Sequence, residues 1–510
     1  MTSGLDPLIR LATLDSVAVA RSDIAANQPL GDGSLRATQA IPRGHKVALV
    51  DIPAGTVVLK YGQPIGIASS AIRAGDHVHS HNLAMRESDA SHEFCSNYRP
   101  ASGVPASQRG HFLGYSRPDG HAGTRNYIAI ISTVNCSATV SKNIAEYFNH
   151  RGGLKQRLNI DGVIALTQGG GCGINNRGEG YRILTRTLQG YARNPNVGGV
   201  LMIGLGCETN QAQQIVEAYG LSEGPTFRTM TIQSAGGTRK AIEAGCQEIE
   251  VMLDQVDACR REQQSLSHLK VGLQCGGSDG YSGISANPAL GRAVDLLVSQ
   301  GGTAVLSETP EIYGAEHLLT SRAATPEIAQ RLLDRIQWWR AYTARNDAEL
   351  NNNPSHGNKA GGLTTILEKS LGAVAKGGST ALNAVYEYAE QIDASGLVFM
   401  DSPGYDPVSV TGQVAGGCNL ICFTTGRGSV SGFKPAPCIK IATNTQMYEH
   451  MQEDMDLDCG TIISGRQSME ESGRGIFERM VAVASGEKTK SEICDYGDNE
   501  FVPWQIGAVT

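Results

Sequence analysis

The sequence predicts a multidomain α/β protein, a small β domain at the N-terminus followed by parallel-sheet α/β domains. Three observations lead there. At 510 residues the chain is too long for one hydrophobic core. Residues 8 to about 87 carry short apolar runs between turns, without a helical period. From Tyr115 onward, strand-like and helix-like stretches alternate, the pattern of a parallel sheet covered on both faces.

Composition narrows the function class. The formal net charge of −7 and the absence of basic runs argue against a nucleic-acid surface. No segment reaches the ~18 uninterrupted apolar residues of a membrane helix. The first twenty residues mix acidic and apolar positions and lack a signal layout, so a soluble, cytoplasmic protein is expected. The 12 cysteines include no CxxC pair, which argues against a zinc ribbon and leaves each thiol as a core residue or a ligand. The 62 glycines imply many tight turns.

In chain order, the first unit (1–87) has runs at Leu8–Leu11, Val17–Ala20, His45–Leu49, Thr56–Leu59 and Ile65–Ala68. Turns such as Pro42-Arg43-Gly44 and Ala74-Gly75-Asp76 separate them. It ends in His77-Val78-His79-Ser80-His81-Asn82. On a strand, alternate side chains share a face, so the three imidazoles would line up to bind a divalent metal or act as a base. Residues 88–113 are polar and Pro/Ser-rich and are assigned to a linker.

The next unit (114–268) reads as strands at Tyr127–Thr133, Gly162–Thr167, Val200–Ile203 and Phe227–Ile232, with helices between them and a long helix over Thr238–Gln263. Cys136, Cys172 and Cys207 each follow the end of such a strand, and Cys275 follows the next one. If those strands are parallel neighbours, the four thiols lie on one rim, a pattern suited to iron or an iron–sulfur cluster.

The final unit (269–510) opens on a strand at Lys270–Leu273, a Gly-rich loop with Cys275, Ser278 and Asp279, an amphipathic helix from Asn287-Pro288, and a strand at Ala304–Leu306 that ends at Glu308. In open α/β sheets ligands bind at the carboxyl ends of strands, so this loop is read as the floor of a polar small-molecule site. A helix over Pro326–Asp347 places Trp338 and Trp339 at the surface or an interface. The polar loop from Asn353 to Gly362 offers Asn358 and Lys359 to a polyhydroxy or carboxylate ligand. Arg427, between glycines after a strand, is placed to receive a carboxylate. The tail reads as a helix near Gln467–Ser485 and a loose end.

At RGHKVALVDIPAGTVVLKYGQPIG, HVHSHN, GYSRPDGHAGTRN, GLGCETNQ, LQCGGSDGYSGISANPALG, SETPEIYGAEHLL, NPSHGNKAGG, FTTGRG and KIATNT, the chain resembles the altronate/galactarate dehydratase family, the altronate members more closely. The resemblance implies an N-terminal SAF-type (β-clip) domain. It also implies dehydration of a sugar acid to a 2-keto-3-deoxy acid with Fe2+ or Mn2+. Relatives commonly carry His four residues before the thiol of the second Gly-rich loop, where this chain has Gln168 before Cys172.

On this reading Cys136, Cys172, Cys207 and Cys275 supply metal ligands. His79, His81, Asp279 and Glu308 are the catalytic candidates, and Asn82, Arg125, Asn126, Ser278, Asn358, Lys359 and Arg427 contact substrate. A homodimer is expected. Rival readings are an aldarate (galactarate-type) dehydratase, a sulfolactate-type sulfo-lyase, and a sugar-acid-binding regulator.

Overall fold

A computed structural model describes residues 5–86, 92–151 and 154–507. The N-terminal unit is antiparallel throughout. One sheet runs Leu8–Ile9, Val17–Ala20, Lys46–Ala48, His77–Val78, and a second runs Val57–Lys60, Gln63–Ala68, Leu83–Ala84. It divides its apolar residues between two cores. Leu8, Ile24, Ile41 and Val47 close its own small core, while Val17, Ala48, Val58, Ile65 and Val78 join the large core of the C-terminal part. The β unit is therefore packed on its neighbour.

The expected run of alternating imidazoles stops early, because only His77 and Val78 are paired as strand. His79 to Asn82 form a turn in which the Asn82 carbonyl oxygen of the side chain accepts the His79 amide at 2.9 Å. The imidazoles meet all the same, through the turn.

Residues 92–110 lie along the C-terminal part. The Cys95 and Asn97 amides donate to the carbonyls of Thr320 and Ser321, and Val104 donates to Ser299. Strand structure resumes at His111–Ser116, beginning inside the segment 88–113 assigned to the linker, and pairs antiparallel with Arg261–Ser265. That pairing also corrects the long helix, which ends at Ala258 rather than Gln263. Residues 261–265 are polar enough for a helix, but the partner strand supplies the hydrogen bonds that decide.

The middle sheet is parallel, in the order Gly162–Leu166, Tyr127–Ser132, Val197–Gly204, Phe227–Thr231. The helices Ala138–Arg151 and Thr238–Ala258 bury one face, through Ile144, Phe148, Ile249 and Met252. Helix Glu179–Ala192 covers the other and shares a core with the second sheet, Leu184 and Leu188 packing with Val410 and Val414.

That second sheet has seven parallel strands, in the order Leu382–Tyr386, Gly396–Met400, Thr303–Leu306, Lys270–Cys275, Leu420–Thr425, Cys438–Ala442, Leu457–Asp458. Its central strands are apolar on both faces, as a doubly covered parallel sheet requires.

Two expectations fail at the C-terminal end. Trp339 is buried, donates its indole N–H to Asp401 at 2.7 Å, and stacks on Trp504 with ring centroids 5.4 Å apart. With Phe501 and Trp504 both buried, the tail is packed rather than loose. An indole that finds both an apolar stack and an acceptor is more stable inside than at the surface.

Candidate active site

Four loops that leave the carboxyl ends of the large sheet, or face them, meet around Asp279. The Cys275–Gly280 loop leaves its strand and touches two other turns backbone to backbone. Gly280 donates its N–H to the Gly361 carbonyl at 2.8 Å, and a Cβ on Gly280 would stand 2.0 Å from the Gly44 carbonyl oxygen. Glycine is required there because no side chain fits.

Asp279 is buried. Its carboxylate accepts from Thr443 Oγ1 at 3.0 Å, Ser282 Oγ at 3.1 Å, Asn444 Nδ2 at 3.1 Å and the Tyr281 amide at 3.1 Å. Burial raises its pKa, against the lowering effect of those donors. Asn358 Nδ2 donates to the Ser278 carbonyl at 2.8 Å, and the Arg427 amide donates to the Gly277 carbonyl at 2.9 Å. Both therefore fasten the loop. A cavity of about 440 Å3 opens here, lined by Asp279, Arg43, Arg427, Asn444 and His450 among others.

The imidazole face stands behind the same loop. His79 Nε2 lies 2.9 Å from the Lys359 carbonyl and His45 Nε2 lies 3.2 Å from the Ala360 carbonyl. A carbonyl only accepts, so both Nε2 atoms carry the proton. His45 Nδ1 then accepts from His77 Nε2, 3.0 Å away. Burial lowers the His45 pKa, and brings His77 to about 3 and His79 to about 4. These rings are neutral at pH 7. Asn82 bridges the His77 carbonyl and the His79 amide, so it holds the turn.

His79 has both ring nitrogens engaged, the second with Ser80 Oγ at 3.0 Å. His81 is exposed and has no hydrogen bond among the described residues. Neither His79 nor His81 is among the residues lining the cavity.

Beneath the loop lies a buried polar centre. Lys376 Nζ is 2.9 Å from Cys275 Sγ and 3.7 Å from Glu308 Oε2, and Lys369 pairs with Glu311 at 2.7 Å. Burial pushes the Cys275 thiol up to about 12, Asp406 up to about 6, and Glu308 well above the usual carboxylate range. Glu308 takes a left-handed backbone (φ 69°) and neither carboxylate oxygen has a hydrogen bond among the described residues. Strain of that kind persists where the surroundings enforce it, and is common at functional sites.

Other expected residues stand apart. Cys136, Cys172 and Cys207 are exposed and follow three adjacent strands of the middle sheet, whereas Cys275 is buried on the large sheet. A single rim of four thiols is thus corrected to three plus one, because the chain builds two sheets where one was assumed. Gln168 closes its own loop, its Oε1 accepting from the Gly170 amide and its Nε2 donating to the Thr133 carbonyl at 3.1 Å. Arg125 is buried in a bidentate pair with Glu492, and Asn126 donates to the carbonyls of Asn159 and Val256. Both are held by framework hydrogen bonds, and neither lines the cavity.

Three family models cover almost all of the chain. They are the altronate/galactarate dehydratase SAF domain over residues 6–86, the D-galactarate dehydratase/altronate hydrolase second domain over 114–257, and the D-galactarate/altronate dehydratase C-terminal domain over 266–509. The altronate dehydratase of Bacillus subtilis (strain 168) is 36% identical over 492 residues, 96% of this chain and 97% of the relative. That of Escherichia coli (strain K12) is 37% identical over 496 residues, 96% of this chain and 97% of the relative.

The chain belongs to the altronate/galactarate dehydratase family.

Within that family it is also 36% identical over 489 residues to the galactarate dehydratase (L-threo-forming) of Escherichia coli (strain K12), 94% of this chain and 93% of the relative. The N-terminal β unit is accordingly a SAF domain, followed by α/β domains with a seven-stranded parallel sheet. The divalent metal that the family resemblance implied can be tested against the residues. Ligand atoms of Cys275, Glu308 and Glu311 lie within 4.8 Å of one another. The Glu308 carboxylate, without a hydrogen bond among the described residues, and a mixed sulfur and oxygen donor set could hold a divalent cation. In this structure the Lys376 ammonium lies beside Cys275 and Glu308.

Arg43, His450, Glu311, Lys369 and Lys376 escaped the sequence reading. Arg43 was visible only as the middle of a turn, and nothing local distinguishes His450 or the two lysines from surface residues of helices.

Proposed function

We propose that this protein is a sugar-acid dehydratase, a hydro-lyase that removes water from a 2,3-dihydroxy acid to give the 2-keto-3-deoxy acid. The observation that carries the reading is the meeting of Asp279, Arg43, Arg427 and His450 around one cavity at the carboxyl ends of a parallel sheet, in a chain whose relatives over nearly full length are named altronate and galactarate dehydratases. Altronate or a related aldonate is the substrate favoured by the resemblance, with an aldarate or a sulfolactate as alternatives.

The chemistry needs a proton taken from carbon beside a carboxylate and a hydroxyl lost from the next carbon. Arg427 and Arg43 hold the carboxylate and orient it. His450, which lines the cavity and whose side chain has no hydrogen bond among the described residues, accepts the C2 proton. Asp279, whose pKa burial raises, is the acid assigned to the departing hydroxyl. Asn444 and Thr443 fix its orientation. A divalent iron or manganese ion, held by Cys275, Glu308 and Glu311, would supply Lewis-acid stabilisation of the developing negative charge. An iron–sulfur cluster on Cys136, Cys172 and Cys207 is the second reading, favoured by their exposure on adjacent strand ends.

The test is anaerobic purification with iron or manganese, then a colorimetric 2-keto-3-deoxy-acid assay across aldonates and aldarates, with sulfite release from sulfolactate measured alongside. Altronate or a near relative should give keto acid. No product from any acid, with metal bound and the chain folded, refutes the reading. Cys275→Ser should lose bound metal and turnover while keeping the fold, whereas substituting the three rim thiols should leave that metal in place.

A further inference from the structure

Two imidazoles and a carboxylate meet where the segment that follows the SAF domain lies on the C-terminal domain. They are His92, Glu316 and His317, and none of them lines the Asp279 cavity. His92 Nε2 stands 3.8 Å from Glu316 Oε1. Glu316 is only 6% exposed, and its second oxygen, Oε2, is buried without a hydrogen bond among the described residues. The same holds for His92 Nδ1 and His317 Nδ1. Backbone contacts fix the surroundings, since the Cys95 amide donates to the Thr320 carbonyl at 3.1 Å and the Asn97 amide to the Ser321 carbonyl at 2.7 Å.

A buried polar atom without a partner costs about 1–3 kcal/mol, so three in one cluster need a reason. An ion pair alone supplies none, because it engages one imidazole nitrogen and one carboxylate oxygen and leaves these three atoms as they are. The His92–Glu316 separation is close to the roughly 3.3 Å that two ligands of one zinc ion keep, given bonds of about 2.0–2.1 Å at tetrahedral angles. Two imidazoles and one carboxylate are a donor set that Zn2+ takes, with a fourth position left open. Burial lowers the His317 pKa, so the ring is in the neutral form that a metal ligand requires. Burial raises the Glu316 pKa against the opposing charges of His92 and Arg340, a cost that a bound divalent cation would offset.

We infer that His92, Glu316 and His317 form a divalent-metal site of the zinc type, which clips the segment from His92 to Asn97 onto the C-terminal domain. The three do not all bring ligand atoms within 4.8 Å of one another, so His317 turns towards the other two when the ion binds. This site is separate from Cys275, Glu308 and Glu311, and it does not depend on the dehydratase reading.

The experiment is a zinc titration of the chelator-stripped full chain against a chromophoric chelator, with bound zinc counted by mass spectrometry after gel filtration. Wild type, His92→Gln, Glu316→Gln and Cys275→Ser are compared, and each variant is read as its difference from wild type. Hydrogen exchange is followed at the amides of Cys95 and Asn97. His92→Gln should lose one zinc or bind it at least about a hundredfold more weakly, because loss of a ligand's hydrogen-bond partner alone costs about 10–100-fold. The His92 side chain is 23% exposed, so this variant should fold. Glu316→Gln, which keeps the shape and removes the charge, should behave alike, and Cys275→Ser should retain this zinc. Zinc should slow exchange at both amides in wild type and not in His92→Gln.

Unchanged zinc affinity and stoichiometry in His92→Gln overturn the site and leave a plain carboxylate–imidazole contact. Loss of the same zinc in Cys275→Ser overturns its separateness, since one centre then accounts for both. A zinc that depends on His92 without slowing exchange keeps the site and overturns the clip.

Discussion

The junction between the SAF domain and the C-terminal domain depends on one buried carboxylate. Glu368 accepts from Lys46 Nζ at 2.8 Å and Lys60 Nζ at 2.8 Å, and from the Thr364 amide and hydroxyl at 3.0 and 2.7 Å. All three charged side chains are 0–1% exposed. The charge balance sets the prediction. Glu368→Gln leaves two buried ammonium groups with no counter-charge, and breaking a buried pair in this way costs about 3–5 kcal/mol. Lys46→Met instead leaves a neutral pair, Lys60 with Glu368.

The Lys46→Met variant loses the hydrogen bond to the Gly362 carbonyl at 2.7 Å. It also removes an ammonium that burial has already pushed down to about 8. Its net cost should therefore be about 1 kcal/mol. Urea unfolding, with hydrogen exchange followed at the amides of residues 46–48 and 364–369, measures both variants. Glu368→Gln should accelerate exchange at both segments, and Lys46→Met should not. If Lys46→Met costs as much as Glu368→Gln, hydrogen-bond geometry rather than charge balance holds the junction, and the reasoning fails.

Three further outcomes follow from the site. His77 and His79 are neutral in the folded protein, with pKa values lowered from 6.5 to about 3 and about 4. The unfolded chain binds protons first as pH falls below 6.5, so stability should decline from there towards pH 4. His77→Gln should flatten that decline in unfolding midpoints measured across pH, and an unchanged slope would exclude this origin. Asp279→Asn keeps the size of the group but removes its acidity. It should lower kcat/KM by about a hundredfold or more, at a cost of about 1–3 kcal/mol in unfolding because its amide meets the donors that the carboxylate accepts, and full activity would remove Asp279 from the mechanism. Native alkylation with iodoacetamide, mapped by mass spectrometry, should label exposed Cys136, Cys172, Cys207 and Cys494 and spare Cys275, which is 2% exposed with its thiol pushed up to about 12. Early labelling of Cys275 would contradict the buried centre.

Much of the architecture was readable because its signals are local. Alternation of strand and helix from Tyr127 onward, the Gly-rich turn after Lys270–Cys275 and the helix that follows it at Ala286–Ser299 are short-range patterns. The Asp279 loop, Arg427 and the 353–362 loop were picked out by composition alone, and the structure brings them to one place through the Gly280–Gly361 and Arg427–Gly277 contacts. What failed was long-range. Residues 261–265 became a strand because His111–Ser116 lies beside them, and the tail is buried because Trp504 finds Trp339.

The sequence by itself determined most strands and helices of the two parallel sheets and the glycine turns, since those follow from backbone sterics and the periodicity of apolar side chains over a few residues. Only the tertiary structure decided that the thiols divide between two sheets, that Lys46 and Lys60 share Glu368, and that His92 meets Glu316. The physical reason is range. A charge's partner, and the pKa that follows from it, depend on which distant strand lies alongside, and strand order in a parallel sheet is set by the packing of the whole core.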